Sequence, residues 1–100
     1  MDTNLIPTDE CCTHYNIEIS FIHSLHDAGL IEMSTDNDQS FVHEDQLSNL
    51  ERFIRLHYDL NINMEGLEVI SHMLQRIETL QQELISVQSQ LTFYEQRELV

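Results

Sequence analysis

The sequence predicts a mainly α protein: a winged helix-turn-helix with a small β-hairpin wing, followed by a long C-terminal coiled-coil helix. Three observations predict it. Two short segments with apolar residues at helical spacing meet at an Asn, a polar run separates two apolar clusters, and an unbroken heptad pattern fills the C-terminal part. At 100 residues and 41% hydrophobic composition, the chain has material for one modest domain and one extension.

The elements follow in order. Leu5 and Ile6 read as a short opening strand, and Pro7 and Thr8 mark a helix start, with Thr8 as N-cap and Asp9 and Glu10 in the first turn. That helix ends near Tyr15, where Asn16 suits a tight turn because Asn tolerates positive φ. A second helix from about Glu18 to Ala28 places Phe21, Ile22 and Leu25 on one face, and Gly29 closes it with a left-handed cap. Leu30, Ile31 and Met33 then face Phe41 and Val42 across the polar run Ser34 to Ser40, which predicts a hairpin with an acidic tip. A third helix begins at Glu44 and runs to about Tyr58, with Leu47, Leu50, Phe53, Ile54 and His57 at helical spacing. The segment LNIN turns the chain, and Asn63 caps the last helix.

In that last helix, Ile70, Met73, Ile77, Leu80, Leu84, Val87, Leu91 and Tyr94 alternate spacings of three and four, an a/d seam with no Gly or Pro after Gly66. A helix over 65–95 would be about 46 Å long, more than a domain this small can cover. A second copy of the chain is the economical cover, which predicts a homodimer. The alternative is that Ile70 to Leu80 is core within a single chain. The expected organisation is therefore a winged helix-turn-helix domain over 1–62 and a dimerisation helix over 63–100.

Charge restricts the function classes. Residues 1–51 hold eleven acids and no base, and all four Arg (52, 55, 76 and 97) lie beyond them. The formal net charge is −14. Phosphate binding depends on Lys and Arg displacing counterions, so a surface of this sign repels a nucleic acid backbone and attracts a basic protein surface. Encounter with such a partner would be fast and would weaken with salt.

No apolar run reaches the length of a membrane span, and MDTNLIPTDE lacks the regions of a signal peptide, so a cytoplasmic protein is expected. Cys11 and Cys12 are neighbours, poorly placed for a disulfide and without a positive neighbour to stabilise a thiolate; they read as small buried hydrophobes. His23 and His26, with Cys11, Cys12 and His14, raise a metal or redox-sensor reading, but no CxxC or HxxxH spacing supports it, and no cofactor or metal is expected.

The stretches ECCTHYNI, HDAGLIE, FVHEDQL and RLHYDLNINMEGLEVISHMLQRIETLQQEL together resemble the chaperone-modulator CbpM family, whose members look like the DNA-binding half of MerR-type regulators. The resemblance covers most of the chain. It implies a MerR-like winged helix-turn-helix that binds the J-domain of a CbpA/DnaJ-type co-chaperone and inhibits its stimulation of Hsp70, with no catalysis. It also implies an antiparallel arrangement of the dimer. Where MerR-type regulators carry an Arg and an aromatic before the Gly-Leu step, this chain has His23, Ser24 and Leu25. The basic residue that usually follows the wing aromatic is also missing, since the wing reads Phe41, Val42, His43. The scaffold is kept while the phosphate contacts are lost.

The expected docking set is therefore the wing-tip pair Asp36 and Asp38, with Glu44, Asp45, Glu51 and Asp59 around the third helix. Tyr58 joins it as a hot spot that offers both area and a hydroxyl. The competing reading is a dimeric MerR-family DNA-binding transcriptional regulator. With no base before Arg52, only Arg52 and Arg55 remain for phosphate contacts in the winged domain.

Overall fold

The computed structural model describes residues 4–98; the first three residues and the last two of the predicted domains lie outside the described residues. The elements are β1 (Leu5–Pro7), α1 (Thr8–Tyr15), α2 (Ile19–Asp27), β2 (Met33–Asp36), β3 (Gln39–His43), α3 (Leu47–Ile54) and α4 (Met64–Glu98). A 3-10 turn, Glu44–Gln46, leads into α3, and a π-helical segment, Arg55–Asp59, leads out of it. The fold is the predicted mainly α winged helix-turn-helix with a long C-terminal helix.

Left-handed residues end the helices of the first unit. Asn16 (φ 55), Gly29 (φ 76) and Asn61 (φ 57) each sit just past a helical segment. After α1 the Ile17 N–H bonds the Cys12 carbonyl, and after α2 the Leu30 N–H bonds that of Leu25. Both are the six-to-one bond of a Schellman termination. The third termination is wider by one residue, Ile62 N–H to Leu56 carbonyl at 3.1 Å, because the π segment inserts an extra residue into the last turn. The expected single helix over 44–58 is thus three helical forms in series. Pattern-reading misses this because 3-10, α and π turns share nearly the same apolar spacing over so few residues.

The wing is shorter at its tip than expected. Ser34 pairs with Phe41, Thr35 with Ser40 and Asp36 with Gln39, so the polar run is mostly strand and only Asn37 and Asp38 turn. Both have positive φ, 50 and 61, as a two-residue hairpin turn that follows the strand twist requires. The opening strand pairs antiparallel with β3, Ile6 opposite Val42, making a three-stranded sheet of order β1-β3-β2. Its Pro7 stands on an outer strand, where a missing N–H costs no ladder bond.

Thr8 does not cap α1. Pro7 occupies the N-cap and Thr8 is the first helical residue, 1% exposed, with Oγ1 accepting a 2.9 Å bond from the Ser40 hydroxyl. A local rule predicted a cap; packing against β3 took the hydroxyl instead.

Cys11, Phe21, Ile22, Leu25, Ile31, Val42, Leu50, Phe53 and Leu67 form one core, to which each helix of the first unit and the sheet contribute. Leu67 belongs to the first turn of α4, which Asn63 caps by accepting the Gly66 N–H at 2.8 Å. A Cβ on Gly66 would lie 2.7 Å from Ile62 Cγ2, so this turn is packed too closely for a side chain there. The chain divides into two compact units, Met1–Glu68 and Val69–Val100. Among the described residues, no helix is long and apolar enough to cross a membrane.

Candidate functional site

All seven expected docking residues are exposed: Asp36, Asp38, Glu44, Asp45, Glu51, Tyr58 and Asp59. They do not lie along one helix. Asp36 ends β2 and Asp38 is in the wing turn; Glu44 and Asp45 open the 3-10 turn; Glu51 is on α3; Tyr58 and Asp59 close the π segment.

Glu51 and Tyr58 each meet a residue of the helix-turn-helix. The Tyr15 hydroxyl donates to Glu51 Oε1 at 2.7 Å. The Glu18 N–H points to the Tyr58 hydroxyl oxygen at 3.4 Å. Glu18 is the N-cap residue of α2, so Tyr58 partners a backbone N–H at a helix start, where the helix supplies no acceptor. The π segment makes this possible: the His57 ring stacks on Phe21 at 4.6 Å while Tyr58 meets the same ring edge-on at 5.3 Å. His57 Nδ1 lies 2.8 Å from the Ile62 carbonyl, which it reaches as a donor, fixing the turn behind it. Tyr58 keeps 42% of its surface exposed, so it combines a held ring with an open face.

Tyr15 is pushed from the ordinary value of 10.0 up to about 12, first by burial and then by its hydrogen bond to the Glu51 carboxylate. Neutral Tyr15 therefore remains the donor well above neutral pH. The thiol pKa values are also raised, for Cys11 and Cys12 both mainly by burial and then by nearby negative charge, which disfavours the nucleophilic thiolate. Among the described residues, no group of three or more His, Cys, Asp and Glu is placed to hold a metal ion.

Sequence reasoning missed Tyr15 and Glu18. Tyr15 lies 36 residues from Glu51, and Glu18 lies 40 from Tyr58. No periodic signal in one sequence spans such distances. It also missed a shallow cleft lined by Asp9, Ile19, His23, Thr35, Asp38, Gln39 and Ser40, drawn from α1, α2 and the wing. A pattern-based clue existed for Ile19 alone: it is an apolar residue off the Phe21-Ile22-Leu25 face of its helix, and it is 44% exposed.

Of the expected seam, Ile70 is half-buried, and Met73, Ile77, Leu80, Leu84, Val87, Leu91 and Tyr94 are between 49% and 61% exposed. Arg52 and Arg55 are exposed at the end of α3 and the start of the π segment.

No curated protein and no solved structure matches the chain. A family model described as MerR HTH family regulatory protein matches residues 6–89, which takes in the helix-turn-helix, the wing and most of α4. The chain belongs to the MerR HTH regulatory protein family.

Proposed function

We propose that this protein is a non-enzymatic chaperone modulator that binds the J-domain of a CbpA/DnaJ-type co-chaperone and inhibits its stimulation of Hsp70. The observation that carries the reading is the charge of the helix-turn-helix and wing. Eleven acids and no base occupy residues 1–51, on a family scaffold whose usual ligand is a polyanion. A basic protein helix is the complementary surface. The acids of the wing and third helix, with Tyr58 as the aromatic anchor, form the docking side, and a second copy of the chain covers the seam Ile70 to Tyr94. The protein works in the cytoplasm, without cofactor or metal.

The test is isothermal titration of the full chain with a purified J-domain, followed by Hsp70 ATPase measurements. Salt-sensitive binding and loss of J-domain stimulation are expected. No binding at low ionic strength would end this reading.

The second reading is a dimeric DNA-binding regulator, favoured by the family itself and by the exposed Arg52 and Arg55. Sequence-selective retention of a duplex at physiological salt, by the dimer, is what that reading requires.

A further inference from the structure

The cleft lined by α1, α2 and the wing is braced on one side. The Ser40 hydroxyl, in its lining, bonds buried Thr8 at 2.9 Å, and Thr8 precedes the lining residue Asp9, so the bond ties the wing to α1. Asp38 is held by the two-residue turn with positive φ at Asn37 and Asp38. The lining includes two carboxylates, Asp9 and Asp38, and one large apolar side chain, Ile19, that the core leaves 44% exposed. Every element that builds the cleft lies within residues 1–51, which contain no Lys or Arg, so the one basic group in the lining is the His23 imidazole.

Two features decide what kind of cation fits. Asp9, His23 and Asp38 line one cleft, yet among the described residues no three such groups are placed to hold a metal ion. A charge carried on a side chain needs no such cluster, since two carboxylates suffice to meet a lysine or arginine head. Exposed Ile19 beside them offers apolar surface to a methylene stem, the combination that Lys and Arg side chains present. One residue back, the Glu18 N–H reaches the hydroxyl of half-open Tyr58, so a second partly exposed side chain, an aromatic ring, stands near the same end of α2.

We infer that the cleft receives a lysine or arginine of a partner's amphipathic helix, with Asp9 and Asp38 meeting the cation and the helix's apolar residues lying over Ile19 and Tyr58. The inference rests on the reading that the partner is a basic protein surface, and it adds Asp9, Ile19 and His23 to the docking residues.

The test uses the full chain in two measurements. The first is titration with a J-domain of wild type, Ile19→Ala, and Asp9→Asn combined with Asp38→Asn. Asn is well suited to the left-handed conformation at position 38, so the wing turn survives. Roughly tenfold weaker binding is expected for the double variant, as loss of two surface ion pairs predicts, with a shallower salt dependence. Ile19→Ala is expected to weaken binding at unchanged salt dependence. The second measurement is a two-dimensional NMR titration of the wild type with a synthetic amphipathic peptide helix carrying Arg and Lys on one face. Shifts are expected at the amides of Ile19, His23, Thr35 and Ser40. If wild type and variants bind the J-domain equally well, the cleft assignment falls and the J-domain reading stands. If no J-domain binds but the peptide shifts the cleft amides, the cleft stands and the J-domain reading falls. Silence in both measurements overturns both.

Discussion

The Tyr15 hydroxyl lies 2.7 Å from Glu51 Oε1, joining the end of α1 to α3 across 36 positions of chain. The bond sets the orientation of a carboxylate proposed to meet a partner.

Removing that bond should be visible in stability and in its pH dependence. The folded state raises the Tyr15 pKa from 10.0 to about 12, so it holds the phenolic proton more tightly than the unfolded chain does. The resulting stabilisation is complete below the unfolded value and is lost as pH rises through the folded one. Tyr15→Phe should cost about 1 kcal/mol near neutral pH. Between the two pKa values, thermal melts of the wild type should fall more steeply with pH than those of the variant. Parallel curves would contradict the assignment.

Tyr58 separates packing from docking. Its ring meets Phe21 edge-on at 5.3 Å, so Tyr58→Ala should lower stability by about 1 kcal/mol. Its open face predicts a larger effect on association, at least a tenfold loss of J-domain affinity, equivalent to about 1.4 kcal/mol. Tyr58→Phe, which keeps the ring and loses the 3.4 Å contact with the Glu18 N–H, should retain most of the affinity. Calorimetry on both variants gives the comparison.

Leu50 is 0% exposed, in the core that joins the helix-turn-helix to the wing. Leu50→Ala should destabilise by about 2–5 kcal/mol through lost burial and the cavity left behind. In a domain this small, that removes much of the stability, and chemical denaturation measures it.

Asn63 accepts the Gly66 N–H at the start of α4. Asn63→Ala should cost about 1 kcal/mol, the usual value of a lost N-cap. Asn63→Asp should keep the acceptor and stay close to wild type in the same melts.

The exposed seam predicts self-association. Leu84 and Leu91, each 57% exposed, stand one heptad apart. Leu84→Glu with Leu91→Glu should reduce the mass seen by light scattering to that of one chain. A wild type that is already monomeric at high concentration would refute the pairing.

What the sequence determined by itself was periodicity and sign. The apolar spacing of Phe21, Ile22 and Leu25, the left-handed residues Asn16 and Gly29, and the heptads from Ile70 to Tyr94 are local properties, set by residues within one or two turns of each other. The absence of any Lys or Arg before Arg52 is likewise fixed before folding, and the proposed class of partner rests on it.

Tertiary structure decided which side chains converge. The bond between Ser40 and Thr8, those of Tyr15 with Glu51 and of Glu18 with Tyr58, and the pairing of Ile6 with Val42 all join residues more than thirty positions apart. No helical or strand period encodes such a meeting. It depends on how the faces pack around Leu25, Val42 and Leu50, because each helix's height and rotation on that core choose which exposed residues stand together. The π segment shows the same division: its residues read as ordinary helix, and the extra residue in the turn became visible only once His57 stacked on Phe21 and Tyr58 was left half open beside Glu18.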